Sequence, residues 1–244
     1  MKKLLFAFIA FIGISQAQAQ ISIDVESGLI FPGYNNVRIP NQTGTTFNFT
    51  EDFEAQGPVI PFRLRVGFTF NERNHIFALF APLSINYDGA TPFDIEFQNS
   101  SFEAGEALSG FYKFNSYRLT YRRDIVATDK WLVGIGFTAK IRDATVRLTS
   151  EDGISDRKDD IGFVPLLHIF TAYKLPSWTL YLEGDGLAGG PGRAFDFFVG
   201  GKVPITGKLG LKAGYRILEG GADIDEVYNF TLINFAVVGL TWGL

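Results

Sequence analysis

The sequence alternates apolar and polar residues with a period of two in many segments, most regularly near its C-terminus. From Leu232, every second residue up to Leu244 is apolar except Asn234. Successive side chains of a β-strand point to opposite faces, so this period indicates strands. The same pattern predicts ten strands, at residues 21–31, 59–70, 75–87, 108–122, 130–142, 162–174, 178–186, 193–203, 208–218 and 229–244.

The second predicted strand separates its two faces most clearly. Phe62, Leu64 and Val66 alternate with Arg63 and Arg65. In the third strand, the alternate residues from Phe77 to Tyr87 form an apolar face. The sixth strand is apolar on both faces, so its orientation stays open. The phase changes near Asp143, which suggests a bulge in the fifth strand.

Strands of this length are typical of segments that cross a bilayer at a tilt, which need about 9–11 residues. The predicted connections mostly alternate between long polar segments and short turns. The long ones are 32–58, 88–106, 150–160 and 219–228, and the short ones are 71–74, 124–129, 174–177 and 204–207. Residues 45–52 alternate weakly and could add a hairpin, and the sixth strand is uncertain in phase, so the pattern also allows eight or twelve strands.

The N-terminal residues 1–19 form a predicted secretory signal peptide. Lys2 and Lys3 precede an apolar stretch, and Ala17-Gln18-Ala19 matches a small-x-small cleavage site. The alternative is an N-terminal membrane anchor, for which the apolar stretch is short. The mature chain is then a single domain, residues 20–244. Loss of the two lysines changes the net charge from −4 to −6.

Composition narrows the function classes further. The chain contains no cysteine, which excludes disulfides, thiolate metal sites and cysteine nucleophiles. An acidic chain without a basic cluster argues against nucleic-acid binding. A helical membrane protein would contain apolar runs of about 18 residues, and the only comparable run is N-terminal.

Charged residues concentrate on the faces opposite the apolar ones. In lipid, an Arg or Lys at mid-depth costs about 2–4 kcal/mol, so a membrane barrel must turn its charges inward, and buried acids and bases must pair. A soluble sandwich or lipocalin-like barrel would place the same charges in water. The predicted lumen charge network comprises Asp24, Glu26, Arg63, Arg65, Arg118, Arg122, Lys140, Arg142, Glu183, Asp185, Asp196, Lys212 and Arg216, with Lys202 on the same kind of face.

Amphipathic aromatic residues lie beside the short turns or near the C-terminus. Rings of this kind are enriched at membrane interfaces. The alternative is a β-sandwich with aromatic residues at its strand ends, but it would not explain why they prefer one end. The predicted periplasmic aromatic ring comprises Tyr121, Trp131, Tyr173, Trp178 and Trp242.

Taken together, the leader, the alternating strands, the aromatic ring and the terminal strand resemble the small outer-membrane β-barrels of Gram-negative bacteria, the OmpA/OmpW-like superfamily. The resemblance covers the mature chain and is one of pattern. It implies an all-β, closed, antiparallel, up-and-down transmembrane barrel, with ten strands as the first expectation and both termini in the periplasm. It also implies contact with outer-membrane lipid and lipopolysaccharide, and recognition of the C-terminal strand by the barrel-insertion machinery. The family commonly ends in an aromatic residue, whereas this chain ends Trp242-Gly243-Leu244, so we expect recognition to depend on Trp242 and Leu244.

The pattern is unspecific for activity, and three roles stay open. The first expectation is a non-enzymatic structural or surface-interaction protein without a cofactor or catalytic residues. The second is a narrow porin-like channel, in which inward bases and inward glycines leave an anion-preferring path. The third is a proteolytic or lipid-modifying barrel. Such enzymes use a histidine with acidic groups or a serine, and the chain has only His75 and His168. We expect His168 to be a hydrogen-bonded barrel histidine.

One acidic segment is a weak candidate for a divalent cation site. Asp223, Asp225 and Glu226 supply the hard oxygen ligands that Ca²⁺ prefers, but their spacing is not that of an EF-hand. A solvated loop is the alternative interpretation.

Overall fold

The computed structural model describes residues 20–243, so the predicted signal peptide and Leu244 lie outside the described residues. This part of the chain is all-β. Its strands are β1 (Gln20–Arg38), β2 (Phe47–Asn48), β3 (Phe53–Ala55), β4 (Arg63–Phe70), β5 (Asn74–Ala81), β6 (Ser84–Gly89), β7 (Ile95–Phe97), β8 (Ser100–Phe102), β9 (Leu108–Ala127), β10 (Trp131–Ser150), β11 (Ser155–Lys174), β12 (Thr179–Gly189), β13 (Gly192–Pro204), β14 (Leu209–Ile224) and β15 (Val227–Gly243).

Ten antiparallel strands close into a barrel, which confirms the predicted fold. The ring runs β1, β4, β5 with β6, and then β9 to β15 in sequence order. It closes where β15 pairs with β1, from Ser22 beside Gly243 to Arg38 beside Tyr228. β5 and β6 form one wall strand interrupted at Pro82 and Leu83, since both pair with β9. Within residues 20–243, no helix is long and apolar enough to cross a bilayer.

Large apolar side chains cover the outside of the barrel. Phe137 is 67% exposed and Leu119 is 57% exposed, and similar residues occur on every wall strand. Val66 of β4 and Phe62, which directly precedes this strand, face outward, while Arg63 is buried inside. A soluble barrel would bury its apolar face, and exposed patches of this extent mark a membrane-contacting surface. The outside of this barrel therefore has the polarity that lipid requires.

Charge on this surface should be costly. We expect Leu119→Arg, in the middle of β9, to lower the free energy of unfolding in lipid vesicles by about 2–4 kcal/mol. Ala104→Arg, on the exposed connection after β8, should change it by no more than about 0.5 kcal/mol. Urea titration followed by tryptophan fluorescence measures both. Equal effects of the two substitutions would contradict a lipid-facing Leu119.

Several predicted loops are wrong, because the strands extend further than the apolar pattern indicated. β1 continues to Arg38, β11 starts at Ser155, and β14 continues to Ile224. At the end of the barrel that these extensions reach, the connections shrink to 151–154, 190–191 and 225–226. Only the connections within 32–58 and 88–106 remain long. Backbone pairing needs no apolar side chain, so strands that rise above the apolar belt escape the period-two signal. Conversely, β4 starts at Arg63 and not at the predicted residue 59. Pro58 and Pro61 precede it, and proline cannot donate a hydrogen bond to a neighbouring strand.

One predicted face and one predicted bulge also need correction. Phe77, Ile85 and Tyr87 are buried inside the barrel, while Ile76 and Phe80 of the same wall strand face outward. The predicted bulge near Asp143 is absent from β10, whose pairing on both sides is continuous there; a shift against β9 lies instead between Val133 and Gly134. The sixth wall strand, β11, turns Ile161, Phe163 and Leu167 outward and His168 inward.

Ile85 and Tyr87 face inward because an apolar plug fills one end of the barrel. We call segments 39–62 and 82–107 the cap, the barrel end that they cover the cap end, and the opposite end, with its short connections, the turn end. Phe49 lies at the centre of the plug, 4.8 Å from the ring of Tyr87 and 5.1 Å from that of Phe47. Around these rings pack buried cap residues and the inward side chains of β9, β10 and β15, among them Ile39, Phe53, Ile95, Phe97, Phe102, Tyr112, Leu148 and Phe235.

Candidate functional site: the charge network in the lumen

Below the plug, the lumen contains a charge network centred on Asp196. This carboxylate is 2% exposed and contacts three arginines. Oδ1 accepts a hydrogen bond from Arg216 at 2.5 Å, and Oδ2 accepts bonds from Arg118 at 2.6 Å and Arg63 at 3.1 Å. β13 supplies the acid, and β4, β9 and β14 supply the bases. The network therefore ties opposite walls of the barrel together.

Glu26 extends the network toward the closing strands. Its carboxylate accepts hydrogen bonds from Arg216 and Lys212 at 2.7 and 2.6 Å, and its Oε2 lies 3.3 Å from Arg63 Nε. Lys212 also donates to Asp24 at 2.6 Å. These contacts bridge β14 and β1, which lie on either side of β15.

On the other side, Asp185 joins the network to a histidine. It accepts from Arg118 at 2.7 Å and from Thr138 at 2.6 Å, and it lies 2.8 Å from His168 Nδ1. Glu183, two residues earlier on β12, pairs with Arg65. Both acids share the inward face of β12, as the strand period requires.

A smaller cluster lies closer to the turn end. Asp124 lies 2.8 Å from His75 Nε2 and 3.0 Å from Arg122 Nε. Thr69 shares a hydrogen bond with the other ring nitrogen of His75 at 2.9 Å. The guanidinium of Arg122 lies 4.0 Å from the centre of the Phe170 ring, close enough for a cation–π contact.

The predicted lumen residues therefore separate into two sets. One continuous network contains Asp24, Glu26, Arg63, Arg65, Arg118, Glu183, Asp185, Asp196, Lys212 and Arg216. Three predicted members lie elsewhere. Arg122 is in the turn-end cluster, Arg142 pairs with Asp160, and Lys140 has no carboxylate within salt-bridge distance in the part of the chain described. Lys202, on the same face, is exposed near the turn end.

On neighbouring strands, the sequence favours pairs of Asp24 and Glu26 with Arg63 and Arg65, and of Glu183, Asp185 and Asp196 with Lys212 and Arg216. The pairs observed agree with this expectation only in part. Glu26 does lie beside Arg63, but Lys212 and Arg216 bind Asp24 and Glu26 as well as Asp196, and Asp185 binds Arg118 across the lumen. Thr138, Asp124 and His75 also lie in the lumen, although they were not among the predicted lumen groups. Thr138 has the inward phase of its strand, which could have identified it. His75 could not be found from the phase, because it shares the face of Phe77, which the pattern had assigned to the apolar side. Asp124 could not be found this way, since it lies where the turn was expected.

The network leaves little free space. The cavity among its side chains measures about 30 Å³, roughly the volume of one water molecule. The room left by inward glycines is taken by neighbouring long side chains. A Cβ on Gly134 would lie 2.7 Å from Arg122 Cδ, and one on Gly239 would lie 2.8 Å from Lys212 Cε.

The aromatic residues predicted to form a ring lie toward the turn end. Trp131 and Tyr173 are in contact, with ring centres 4.8 Å apart, and Trp242 pairs with Leu209 on the neighbouring strand. Trp178 lies in the turn before β12, and Tyr121 donates to Asn74 at 2.8 Å. Four of the five, Tyr121, Trp131, Trp178 and Trp242, are 40–49% exposed.

The structure gives the three residues of the candidate cation site separate partners. Asp223 accepts from Asn41 at 2.6 Å, Asp225 accepts from Gln42 at 3.4 Å, and Glu226 pairs with Lys158 at 3.1 Å. Among residues 20–243, no group of three or more His, Cys, Asp or Glu side chains is arranged to hold a metal ion.

The solved structures that this chain resembles include outer-membrane proteins. The outer-membrane protease OmpT from Escherichia coli aligns with 10% identity and a TM-score of 0.57, over 95% of this chain and 99% of its own. An outer-membrane channel from Pseudomonas putida F1 aligns with 10% identity and a TM-score of 0.43, over 95% and 97%. The attachment invasion locus protein Ail of Yersinia pestis, in complex with sucrose octasulfate, aligns with 11% identity and a TM-score of 0.42, over 93% and 99%. No family model and no curated protein matches the sequence.

The chain thus has the fold of a small outer-membrane β-barrel. At these identities the likeness concerns the fold alone, and the roles of these proteins, which include adhesion, proteolysis and transport, do not transfer with it.

Proposed function

We propose that this protein is exported through its N-terminal leader to the bacterial outer membrane and serves there as a closed, non-enzymatic barrel with a surface-interaction role. The observation that carries the proposal is the filled lumen. Ten paired charges span it, and the cap adds an apolar plug at one end. A solute path would have to break several buried ion pairs, each costly to disrupt.

The surroundings of His168 support a structural role for this residue. Its ring is 3% exposed and lies between Asp185 and Glu183, with Nε2 3.8 Å from the Glu183 carboxylate. An acid–base pair that acts on a peptide or lipid must be reachable by substrate. This pair is enclosed by the charge network on one side and the barrel wall on the other.

The cap supports the surface-interaction role. Segments 39–62 and 82–107 contain eight acidic residues and no Lys or Arg: Glu51, Asp52, Glu54, Asp88, Asp94, Glu96, Glu103 and Glu106. Most of these side chains are exposed, while the apolar residues between them are buried in the plug. A rigid surface of one charge sign favours partners of the opposite sign. We therefore propose basic partners for the cap.

Ion conductance tests the closed lumen. In planar bilayers, we expect the purified protein to give no current steps under conditions in which a porin control conducts. Phe49→Ala, which should loosen the cap but leave the charge network intact, should also give none. Steady current through the wild type would contradict the proposal. Current through Phe49→Ala alone would mean that the cap, and not the charge network, closes the barrel.

Cell-based assays test the non-enzymatic part separately. Cells that express the protein should leave lipid A and added peptides unaltered. Cleavage or acylation that is lost in His168→Gln, which keeps a polar side chain of similar size, would identify an enzyme instead.

A further inference from the structure

A second cavity, larger than the space in the charge network, lies in the cap-end half of the barrel. Its volume is about 450 Å³, within the roughly 300–1,000 Å³ typical of small-molecule sites. Apolar side chains and glycines form most of its walls, including Val146, Val164, Leu187 and Leu218. Lys140 and Phe114 also line it.

The barrel wall is incomplete beside this cavity. β11 pairs with β12 only from Leu167 onward, whereas β11 itself begins twelve residues earlier, at Ser155. Residues 155–166 therefore have a strand partner on the β10 side only. Pro165 lies in this stretch, and proline is typical of strand edges. Two outward residues of the same stretch, Ile161 and Phe163, are 74% and 65% exposed. The cavity thus opens sideways, and the rim of the opening is apolar.

Lys140 is the unusual group in this cavity. Its side chain is 2% exposed, yet within residues 20–243 it forms no ion pair or hydrogen bond with another side chain. Its ammonium nitrogen lies 4.7 Å from the ring centre of Phe114. Burial of an ammonium group is costly unless an anion compensates it. The nearby carboxylates Asp185 and Asp196 are already held by arginines.

The other basic residues at the cavity have partners. Arg142 pairs with Asp160, Lys158 pairs with Glu226 at 3.1 Å, and Arg193 pairs with Glu219 at 2.8 Å. The cavity therefore combines one available cation, deep inside, with apolar walls that lead to an opening in the lipid-facing surface.

We propose that this cavity binds a single-chain amphiphile with an anionic head group. The head group pairs with Lys140, and the alkyl chain lies along Val164 and Leu187 toward the opening between β11 and β12. An inorganic anion would leave the apolar walls unused, and a two-chain phospholipid would not fit within the cavity. The site lies beside the charge network, so it does not require an open lumen.

Hexadecanoate is the probe that tests the head-group contact. Native mass spectrometry of the mature barrel in detergent should show saturable one-to-one binding. Lys140→Met should weaken it at least about tenfold, the effect of losing one charge-assisted contact, while Lys140→Arg should retain it. Hexadecanol, which has the same chain without the charge, should bind the wild type more weakly and be insensitive to Lys140→Met. Unchanged hexadecanoate binding in Lys140→Met would overturn the proposal.

A steric variant tests the alkyl-chain path independently. A Cβ on Gly189 meets no atom within 4 Å, and Gly189 lines the cavity, so Gly189→Trp should fold and fill it. We expect this variant to abolish hexadecanoate binding. Gly207→Trp, at an equally open position in a turn-end connection, is the matched control and should bind normally. Equal binding by both variants would overturn the assigned path.

Competition distinguishes the source of the ligand. Phosphatidylglycerol and inorganic phosphate, each in excess, should leave hexadecanoate bound. Displacement by phosphatidylglycerol would mean that the cavity binds a bilayer lipid. Displacement by phosphate would mean that the cavity binds anions without using its apolar walls. Either displacement contradicts the proposal as stated. The heat-dependent gel migration of folded barrels verifies that each variant is folded.

Discussion

Asp196→Ala is expected to destabilise the barrel by about 3–5 kcal/mol, because it removes one partner from a buried ion-pair network. Arg63, Arg118 and Arg216 all contact this carboxylate, so its removal leaves three guanidinium groups buried with less compensating charge. Urea titration of the folded barrel in vesicles, followed by tryptophan fluorescence, measures the loss.

Two further variants isolate the cause. Asp196→Asn keeps the side-chain volume but removes the charge, and we expect it to lose most of the same free energy of unfolding. Asp152→Ala removes an exposed carboxylate from the β10–β11 connection and should change stability by no more than about 0.5 kcal/mol. Asp196→Ala with a stability within 1 kcal/mol of wild type would mean that the network does not stabilise the barrel.

Phe49→Ala should unfold the cap locally while the barrel stays closed. Phe49 is fully buried and contacts Phe47, Phe53 and Tyr87, and removing a buried phenylalanine side chain costs about 3–5 kcal/mol. Hydrogen exchange of segments 39–62 and 82–107 should accelerate by at least about 100-fold if the cap opens as a unit. Exchange in the wall strands outside these two segments should not change.

The matched control is Phe31→Ala, on the outer face of β1, where the ring is 53% exposed. It removes the same side chain from a lipid-facing position and should leave exchange in the cap at the wild-type rate. Unaltered protection of the cap in Phe49→Ala would show that its rings do not hold the cap in place.

The alternation of residues predicted most wall strands because the bilayer acts on each strand separately. Arg63 and Arg65 on β4, or Arg118 and Arg122 on β9, cannot face lipid whatever the neighbouring strands do. The inward phase of a charged strand can therefore be read from a few residues. This constraint ends at the polar extensions of β1 and β14, and there the pattern no longer indicates a strand.

The third wall strand shows the limit of this reasoning. In β5, both faces are largely apolar, and Phe77 looks as suited to lipid as Ile76 and Phe80. Phe77 nevertheless faces inward, where the guanidinium groups of Arg65 and Arg122 lie against its ring. Ile85 and Tyr87 of β6 face inward because the buried rings of the cap, far away in sequence, create an apolar interior there. An apolar face does not distinguish lipid from a plug, so this assignment needed tertiary contacts.

By itself, the sequence determined a closed antiparallel barrel with charges inside and apolar side chains outside, because solvation favours one phase for each charged strand. Only the tertiary structure decided which charges meet. Arg118 reaches Asp185 and Asp196 across the lumen, and Lys212 reaches Asp24, 188 residues away in sequence. Such pairs depend on the shear and radius of the closed barrel, which no single strand encodes. Among the residues that the structure describes, the same closure left Lys140 without a carboxylate partner beside an opening in the wall.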